Sequence, residues 1–187
     1  MKNSPMSYSD VVRIIADILK AFDSTRPVHK TFSPGIGPFG EPQLVREIAQ
    51  RLTRNGIQAK TQQTPDLVIQ GGVFAIEFKI VRPFGDNGKE AENWSVNMLH
   101  PYPGNVSLLA DALKLNGLNN VFQHRGLLMI GYEHNPPRIS LDPLIRSFEL
   151  IAKVEMGIPL GQRVEEKRDG LVHPEHQVLR CVGWELN

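Results

Sequence analysis

Two acidic residues and one lysine interrupt an otherwise apolar stretch, TPDLVIQGGVFAIEFKIVRP, at residues 64–83. Asp66 stands near its start, and Glu77 and Lys79 follow a central pair of glycines. Carboxylates at these positions could bind a divalent cation, and a lysine beside them could orient water or offset a developing negative charge. The residue types therefore indicate metal-assisted chemistry, provided that the fold brings the three side chains together.

The glycines Gly71 and Gly72 separate two β-rich runs and predict a two-residue hairpin turn. With that loop, Asp66 lies opposite Glu77, and Lys79 shares the face of Glu77 because side chains alternate along a strand. The apolar residues of both strands then point to the opposite face, toward the core: Leu67, Ile69, Phe74, Ile76 and Phe78. A three-residue loop would break this register, so a hairpin with a merely solvated polar face remains the alternative.

The predicted pairing of Asp66 with Glu77 has an energetic consequence. Directly opposed Cβ atoms in an antiparallel pair are about 4.5–5.5 Å apart. Carboxylates at this distance repel each other, so one of them takes up a proton or a cation lies between them. Carboxylate oxygens bind Mg²⁺ at about 2.0–2.1 Å, which suits that gap. We therefore expect the pair to lower stability unless function uses it.

Asp66 with its preceding proline, ten further residues and then Glu77-Phe78-Lys79 resemble the signature of the PD-(D/E)xK nuclease superfamily. That superfamily includes type II restriction endonucleases and archaeal Holliday-junction resolvases, and the resemblance covers about residues 38–133. It implies hydrolysis of DNA phosphodiester bonds with Mg²⁺, for which Mn²⁺ could substitute. Asp66, Glu77 and the backbone carbonyl of Phe78 would hold the ion, and Lys79 would orient or deprotonate water.

The helix predicted over EPQLVREIAQRL resembles the first core helix of that superfamily, which often supplies one more acid near its start. Glu41 is the first candidate, because it shares a face with the apolar residues Leu44 and Ile48. It would hold a second ion or a metal-bound water. Glu47 points more toward solvent and is the second choice, and either acid could instead simply favour the helix dipole.

A long segment, residues 82–105, begins soon after Lys79. Loops of this length are usually functional or disordered, and its aromatic residues argue against disorder. It contains a possible short helix, KEAENWSVNML, and ends at Asn105, a candidate cap for the next helix. We predict nucleic-acid contacts from the polar side chains of this region: Arg82, Lys89, Asn93, Asn97, His100 and, on the next helix, Lys114. An anchored surface excursion, with Lys114 paired to Asp111, is the alternative.

Hydrophobic periodicity predicts a single α/β domain over residues 1–187. Together with the resemblance, it implies a restriction-endonuclease-like three-layer sandwich, with a central mixed sheet of about four to five strands flanked by helices. Residues 1–35 would form an N-terminal helical arm and a Pro/Gly-rich hinge, 38–133 the core, and 134–187 a C-terminal helix and strand. The charged run LGQRVEEKRDG is predicted as a solvated loop.

The amino-acid composition of the chain excludes several classes of function. The net charge of +1 excludes a global attraction for nucleic acid, so any such contact needs a local patch. Cys181 is the only cysteine, which excludes an intrachain disulfide and favours a cytoplasmic protein. No apolar run approaches the roughly 20 residues of a membrane span, so no membrane association is expected.

The sequence therefore predicts a Mg²⁺-dependent endodeoxyribonuclease acting on double-stranded DNA, with type II restriction as the leading role. A homodimer is expected, because cutting both strands needs two sites and one small chain offers one. Three alternatives stay open. They are a structure-specific repair or recombination nuclease, a non-catalytic module that binds nucleic acid or protein, and a nuclease acting on RNA.

Overall fold

The computed structural model describes residues 6–70, 73–102, 104 and 106–187. Within them the chain forms five α-helices and six β-strands. The helices are α1 (Tyr8–Ser24), α2 (Glu41–Arg54), α3 (Val96–Leu99), α4 (Leu108–Asn116) and α5 (Asp142–Leu150), the last continuing into a π-helical turn. The strands are β1 (Ala59–Thr61), β2 (Leu67–Ile69), β3 (Phe74–Val81), β4 (His124–Glu133), β5 (Leu160–Asp169) and β6 (Val178–Leu186).

All six strands belong to one mixed sheet in the order β1-β2-β3-β4-β6-β5. Strands β3 and β4 are parallel, and the other neighbouring pairs are antiparallel. Helices α1 and α2 pack on one face of the sheet, and α3, α4 and α5 pack on the other. The predicted α/β class with helices around a mixed sheet is therefore confirmed, whereas the predicted four to five strands were too few.

The additional strand is β5, in the segment predicted as a solvated charged loop. That prediction was wrong because β5 is an edge strand, which pairs only with β6 and leaves most of its side chains at the surface. Apart from Leu160, Val164 is its only apolar residue, so the alternation that marks a half-buried strand is missing. Charged side chains on an edge strand discourage pairing with other chains.

Helix α1 is part of the main core rather than a separate arm. Its residues Val12, Ile15 and Leu19 are fully buried against the sheet. The Pro/Gly-rich connector that follows is also packed, because Ile36 is fully buried. The buried carboxylate of Asp23 accepts hydrogen bonds from two backbone N–H groups, that of Ile36 at 3.0 Å and that of Val172 at 2.8 Å. Asp23 therefore joins the end of α1 both to the connector and to the loop before β6.

We expect Asp23→Ala to lower the free energy of unfolding by about 2–4 kcal/mol, because the N–H groups of Ile36 and Val172 would lose their partner in a buried place. Urea denaturation measures the change. Asp17→Ala is the control, since Asp17 forms an exposed ion pair with Arg168 and its loss should cost less than about 1 kcal/mol. Equal losses in the two variants would refute this role of Asp23.

Candidate functional site

On the side that faces β2, strand β3 is paired with another strand only in its first half. Strand β2 pairs with β3 from Ile69–Phe74 to Leu67–Ile76, which is the register predicted from a two-residue loop at the glycines. The predicted turn residues Gly71 and Gly72 lie outside the described residues, as does the predicted helix cap Asn105. Beyond the paired part of β3, backbone N–H groups continue to point to this edge and need other acceptors.

Two carboxylates take the place of the missing strand. The N–H of Phe78 donates to Oδ2 of Asp66 at 2.8 Å, and the N–H of Ile80 donates to Oε2 of Glu41 at 3.2 Å. Asp66 comes from the chain just before β2, and Glu41 is the first residue of α2. The same two hydrogen bonds therefore continue the sheet and fix two acids at its edge.

Glu77 joins Asp66 on the side of the sheet that carries α4. Its side chain is 4% exposed, so the predicted alternative of a merely solvated polar face is wrong. Burial, and next the negative charge of Asp66, raise the pKa of Glu77 to about 9. The pair therefore holds a proton at neutral pH when no cation is bound.

Lys79 occupies the same face, two residues farther along β3, and is 8% exposed. Its Nζ lies 2.9 Å from Oδ2 of Asp111 and 3.8 Å from Oε1 of Glu41. Burial by itself favours the neutral amine, but these two carboxylates outweigh it and raise the pKa of Lys79. The ammonium group is therefore protonated at neutral pH and is held from two sides.

Asp111 is the site residue that the sequence prediction missed, because it was considered only as a partner of Lys114. Its side chain is buried on α4, and its two oxygens bind Lys79 and Lys114 at 2.9 Å each. One signal could have revealed it. Asp111 stands in the apolar stripe of α4, between Leu108 and Leu115, where an acid is buried only with a partner.

Of the two candidate helix acids, the structure brings Glu41 into this cluster and leaves Glu47 out. Glu41 is half-buried, and burial raises its pKa, with Lys79 acting in the opposite direction. Glu47 instead pairs with Arg51 along the outside of α2, at 2.6 Å. The position of Glu41 at the very start of the helix explains the difference, because only there does the side chain reach the edge of β3.

The predicted nucleic-acid contacts divide into two groups. Lys114 is 48% exposed and reaches the cluster through Asp111. Arg82, Lys89, Asn93 and His100 lie elsewhere, on the segment that follows β3. Arg82 donates to the backbone carbonyl of Gly37 at 2.7 Å, while Lys89 and Asn93 are exposed. The predicted residue Asn97 lies on that segment as well. The structure thus gathers Lys114 with the acids but not the other five residues.

Only part of the predicted short helix KEAENWSVNML forms in this segment. A helix forms only over Val96–Leu99, preceded by turns and by a single bridge between Phe84 and Glu90. Met98 is fully buried, and Trp94 is half-buried. His100 is also half-buried, and within the described part of the chain its Nδ1 has no hydrogen-bond partner. The segment is therefore mostly irregular in structure and is anchored by its buried side chains.

Two buried histidines near the end of the chain have a structural role. His173 bonds Oδ1 of Asp86 through Nε2 at 2.8 Å, and the ring stacks on His176 at 4.3 Å between centroids. His176 donates from Nε2 to the carbonyl oxygen of Phe84, and burial lowers its pKa to about 4. These contacts tie the segment after β3 to the loop before β6.

The acids at the edge of β3 fit a magnesium site. Within the described ranges, no three His, Cys, Asp or Glu side chains form a ready-made metal cluster. Mg²⁺, however, is usually bound by one or two carboxylates together with waters and substrate phosphates. Asp66 and Glu77 supply the two carboxylates. The carbonyl of Phe78 points to the same edge as its N–H, as in any extended residue, and adds a neutral oxygen.

A cleft of about 340 Å³ opens to solvent beside two of the acids, Asp66 and Glu41. Its wall includes Glu41 and Asp66, the exposed cation Arg46 and the amide side chains of Gln62 and Gln63. A phosphate group entering the cleft would meet the carboxylates only after a cation had neutralised them. A cation held by these carboxylates would therefore favour entry of an anionic group.

No protein-family model matches the chain, and comparisons with curated proteins and with solved structures found no significant match. None of the described helices is both long enough and apolar enough to cross a membrane.

Proposed function

We propose that the protein is a metal-dependent endonuclease that hydrolyses DNA phosphodiester bonds, with a restriction-endonuclease-like fold and a site of the PD-(D/E)xK type. One observation carries this proposal: Asp66, Glu77 and Lys79 meet at the unpaired edge of β3 in a mostly buried arrangement. Two carboxylates that must share a proton cost stability, and such costs are expected at functional sites.

Asp66, Glu77 and the carbonyl of Phe78 would hold Mg²⁺, and Mn²⁺ could replace it. When bound, the ion would polarise the phosphate and lower the pKa of a water molecule. Glu77 must lose its proton to become a ligand, so its raised pKa makes cation binding stronger as pH rises toward about 9.

Lys79 acts in this proposal as a charged donor. Despite its burial, the carboxylates of Glu41 and Asp111 keep the ammonium protonated. A protonated lysine orients the attacking water and stabilises the charge that develops on the phosphate, but it does not remove a proton. Of the two roles expected from the sequence, orientation and deprotonation of water, the geometry supports the first. Glu41 and Asp111 are positioning residues, because they hold Lys79.

Cleavage of supercoiled plasmid, and of a long duplex of mixed sequence, in the presence of Mg²⁺, Mn²⁺ or EDTA tests the proposal. We expect cleavage with either ion and none with EDTA. Binding of DNA without cleavage in any condition would support the non-catalytic module, which the near-neutral net charge of +1 also favours. If the protein cleaved RNA but not DNA, it would instead be a nuclease acting on RNA.

A homodimer is the assembly we propose for cleavage of duplex DNA, because the described part of one chain holds one such cluster. A dimer that cuts both strands in one encounter would convert supercoiled plasmid to the linear form with little open circle. A monomer would accumulate open circles first. Sedimentation of the protein at the assay concentration gives the matching measurement of mass.

DNA binding should depend on cations and on a small number of lysines. We expect Ca²⁺ to tighten binding, because it neutralises Asp66 and Glu77. Lys114→Ala should reduce the slope of log K against log salt by about 0.9, the value for one lost phosphate contact on duplex DNA. Fluorescence anisotropy at several salt concentrations, with EDTA or Ca²⁺, measures both effects.

Lys167→Ala is the matched control for Lys114→Ala. Lys167 has a similar exposed fraction, 52%, and lies on β5 at the opposite edge of the sheet. Its removal should leave the slope unchanged. If the two variants behave alike and Ca²⁺ has no effect on affinity, the cluster around Asp111 does not contact nucleic acid.

A further inference from the structure

A second cavity, of about 660 Å³, lies beside the acidic cluster. The segment after β3 forms one wall, and the connector between α1 and α2 contributes Phe32 and Pro38 to the other. Its volume falls within the range of about 300–1,000 Å³ that is usual for small-molecule sites. The cavity can therefore accept one nucleotide but not a duplex.

The cavity and the acidic cluster share Ile80. The side chain of Ile80 lines the cavity, and its backbone N–H donates to Glu41 at 3.2 Å. Lys79 is the preceding residue of the strand, and one residue advances a strand by about 3.3 Å. The cavity therefore begins at the residue that follows Lys79, on the face of β3 that carries Ile80, and adjoins Glu41.

Arg82 supplies a positive charge at the cavity wall that forms no direct ion pair within the described residues. It is half-buried, and its guanidinium donates to the carbonyl of Gly37. Within the described part of the chain no carboxylate forms an ion pair with it. Burial lowers its pKa, and Tyr132 and Glu41 act only partly in the opposite direction. A phosphate oxygen would complete its contacts.

The remaining wall combines aromatic rings and amides with the carboxylates of Asp86 and Glu92, of which Asp86 is bonded to His173. Phe32 is 38% exposed, and Trp94 is half-buried with its indole N–H turned to Glu90 at 3.4 Å. The side chains of Asn93 and Asn97 are exposed and form no hydrogen bonds within the described residues. Aromatic rings stack on bases, and an amide offers both a donor and an acceptor to a base edge.

We propose that this cavity binds one nucleobase that has left the base stack, from the strand whose phosphate lies at Asp66 and Glu77. This inference rests on the proposed nuclease function and specifies how its substrate is held. Unstacking a base costs least in single-stranded or mismatched DNA, so those substrates should bind best. The segment after β3 would then form the wall of the cavity that contacts the base.

Quenching of tryptophan fluorescence tests the proposal directly. Trp184 is fully buried and bonded to Glu149, so a base entering the cavity should quench only Trp94. The probe is a single-stranded DNA of about ten nucleotides and mixed sequence, titrated with Ca²⁺ in place of Mg²⁺. We expect saturable quenching in the wild-type protein and its loss in Trp94→Phe.

The affinity of the same oligonucleotide gives a second measurement. Asn97→Ala should weaken binding roughly fivefold or more, as anisotropy of the labelled strand would show. Asn119→Ala is the matched control, because Asn119 is also exposed and lies outside the cavity wall. It should bind like the wild type.

Several outcomes would overturn the proposal. They are an oligonucleotide that binds without quenching Trp94, an oligonucleotide that does not bind, and equal affinities for Asn97→Ala and Asn119→Ala. Quenching by deoxynucleoside monophosphates but not by the oligonucleotide would show that the cavity takes a free nucleotide instead. Plasmid cleavage separates this inference from the nuclease proposal: cleavage without quenching removes only the base site, and quenching without cleavage removes only the nuclease.

Discussion

Replacement of Glu77 by glutamine is expected to abolish metal-dependent cleavage, with a loss of at least about 10³-fold, while it stabilises the metal-free protein. The first effect follows because glutamine removes one of the two carboxylates that would hold the ion. The second follows because the pair Asp66–Glu77 must share a proton in the folded state. A neutral amide at residue 77 can donate to Asp66 at any pH.

The stabilisation should depend on pH in a defined direction. The pKa of Glu77 is raised from 4.5 to about 9 on folding. Between these values the folded protein keeps a proton that the unfolded chain loses, so the wild-type protein becomes less stable as pH rises through this window. The advantage of Glu77→Gln should be small at pH 4 and should grow toward pH 8 by up to about 1.4 kcal/mol for each pH unit.

Thermal denaturation in EDTA, at pH 4, 6 and 8, measures this dependence. Glu155→Gln is the control, because Glu155 is exposed at the end of the π-helical turn that follows α5. Ca²⁺ should raise the melting temperature of the wild-type protein at pH 8 and have little effect on Glu77→Gln. A Glu77→Gln protein that melts lower than the wild type in EDTA would mark Glu77 as structural. Undiminished cleavage would remove it from the site.

The second large effect is expected for Lys79→Met. Loss of the ammonium should reduce turnover by about 10²–10³-fold, because a charge aimed at the developing phosphate charge is removed. The cation-induced rise in melting temperature should remain, since an ammonium group does not bind Mg²⁺ or Ca²⁺. The variant should also lose roughly 3 kcal/mol of stability, because Asp111 and Glu41 would be left without the cation they share.

The double variant Lys79→Met/Asp111→Asn separates the two effects of Lys79. Removing the carboxylate that pairs most closely with Lys79 should restore part of the stability but none of the turnover. Asp111→Asn alone should reduce turnover by about tenfold, and its pH profile should lose activity at a lower alkaline pH. The reason is that Asp111 helps to keep Lys79 protonated. Recovery of turnover in the double variant would show that Lys79 is only a charge partner.

Local patterns in the sequence determined much of the arrangement around β3. The glycine pair predicted the register of β2 with β3, which places Asp66 opposite Glu77, and alternation predicted that Phe78 points to the other face. Helical spacing and the proline at its start predicted α2 and the position of Glu41 at its first residue. These features depend on residues close in sequence, so one short stretch contains the information that they need.

Tertiary structure alone decided the rest. Asp111 entered the cluster because the sheet order places α4 over the face of β3 that carries Lys79, more than thirty residues earlier in the chain. The edge strand β5 forms because β6 offers a partner, not because its own residues favour a strand. Burial of Glu77, and with it the raised pKa, also depends on that covering layer. Contacts between distant segments, and the loss of water they cause, set the charges at this site.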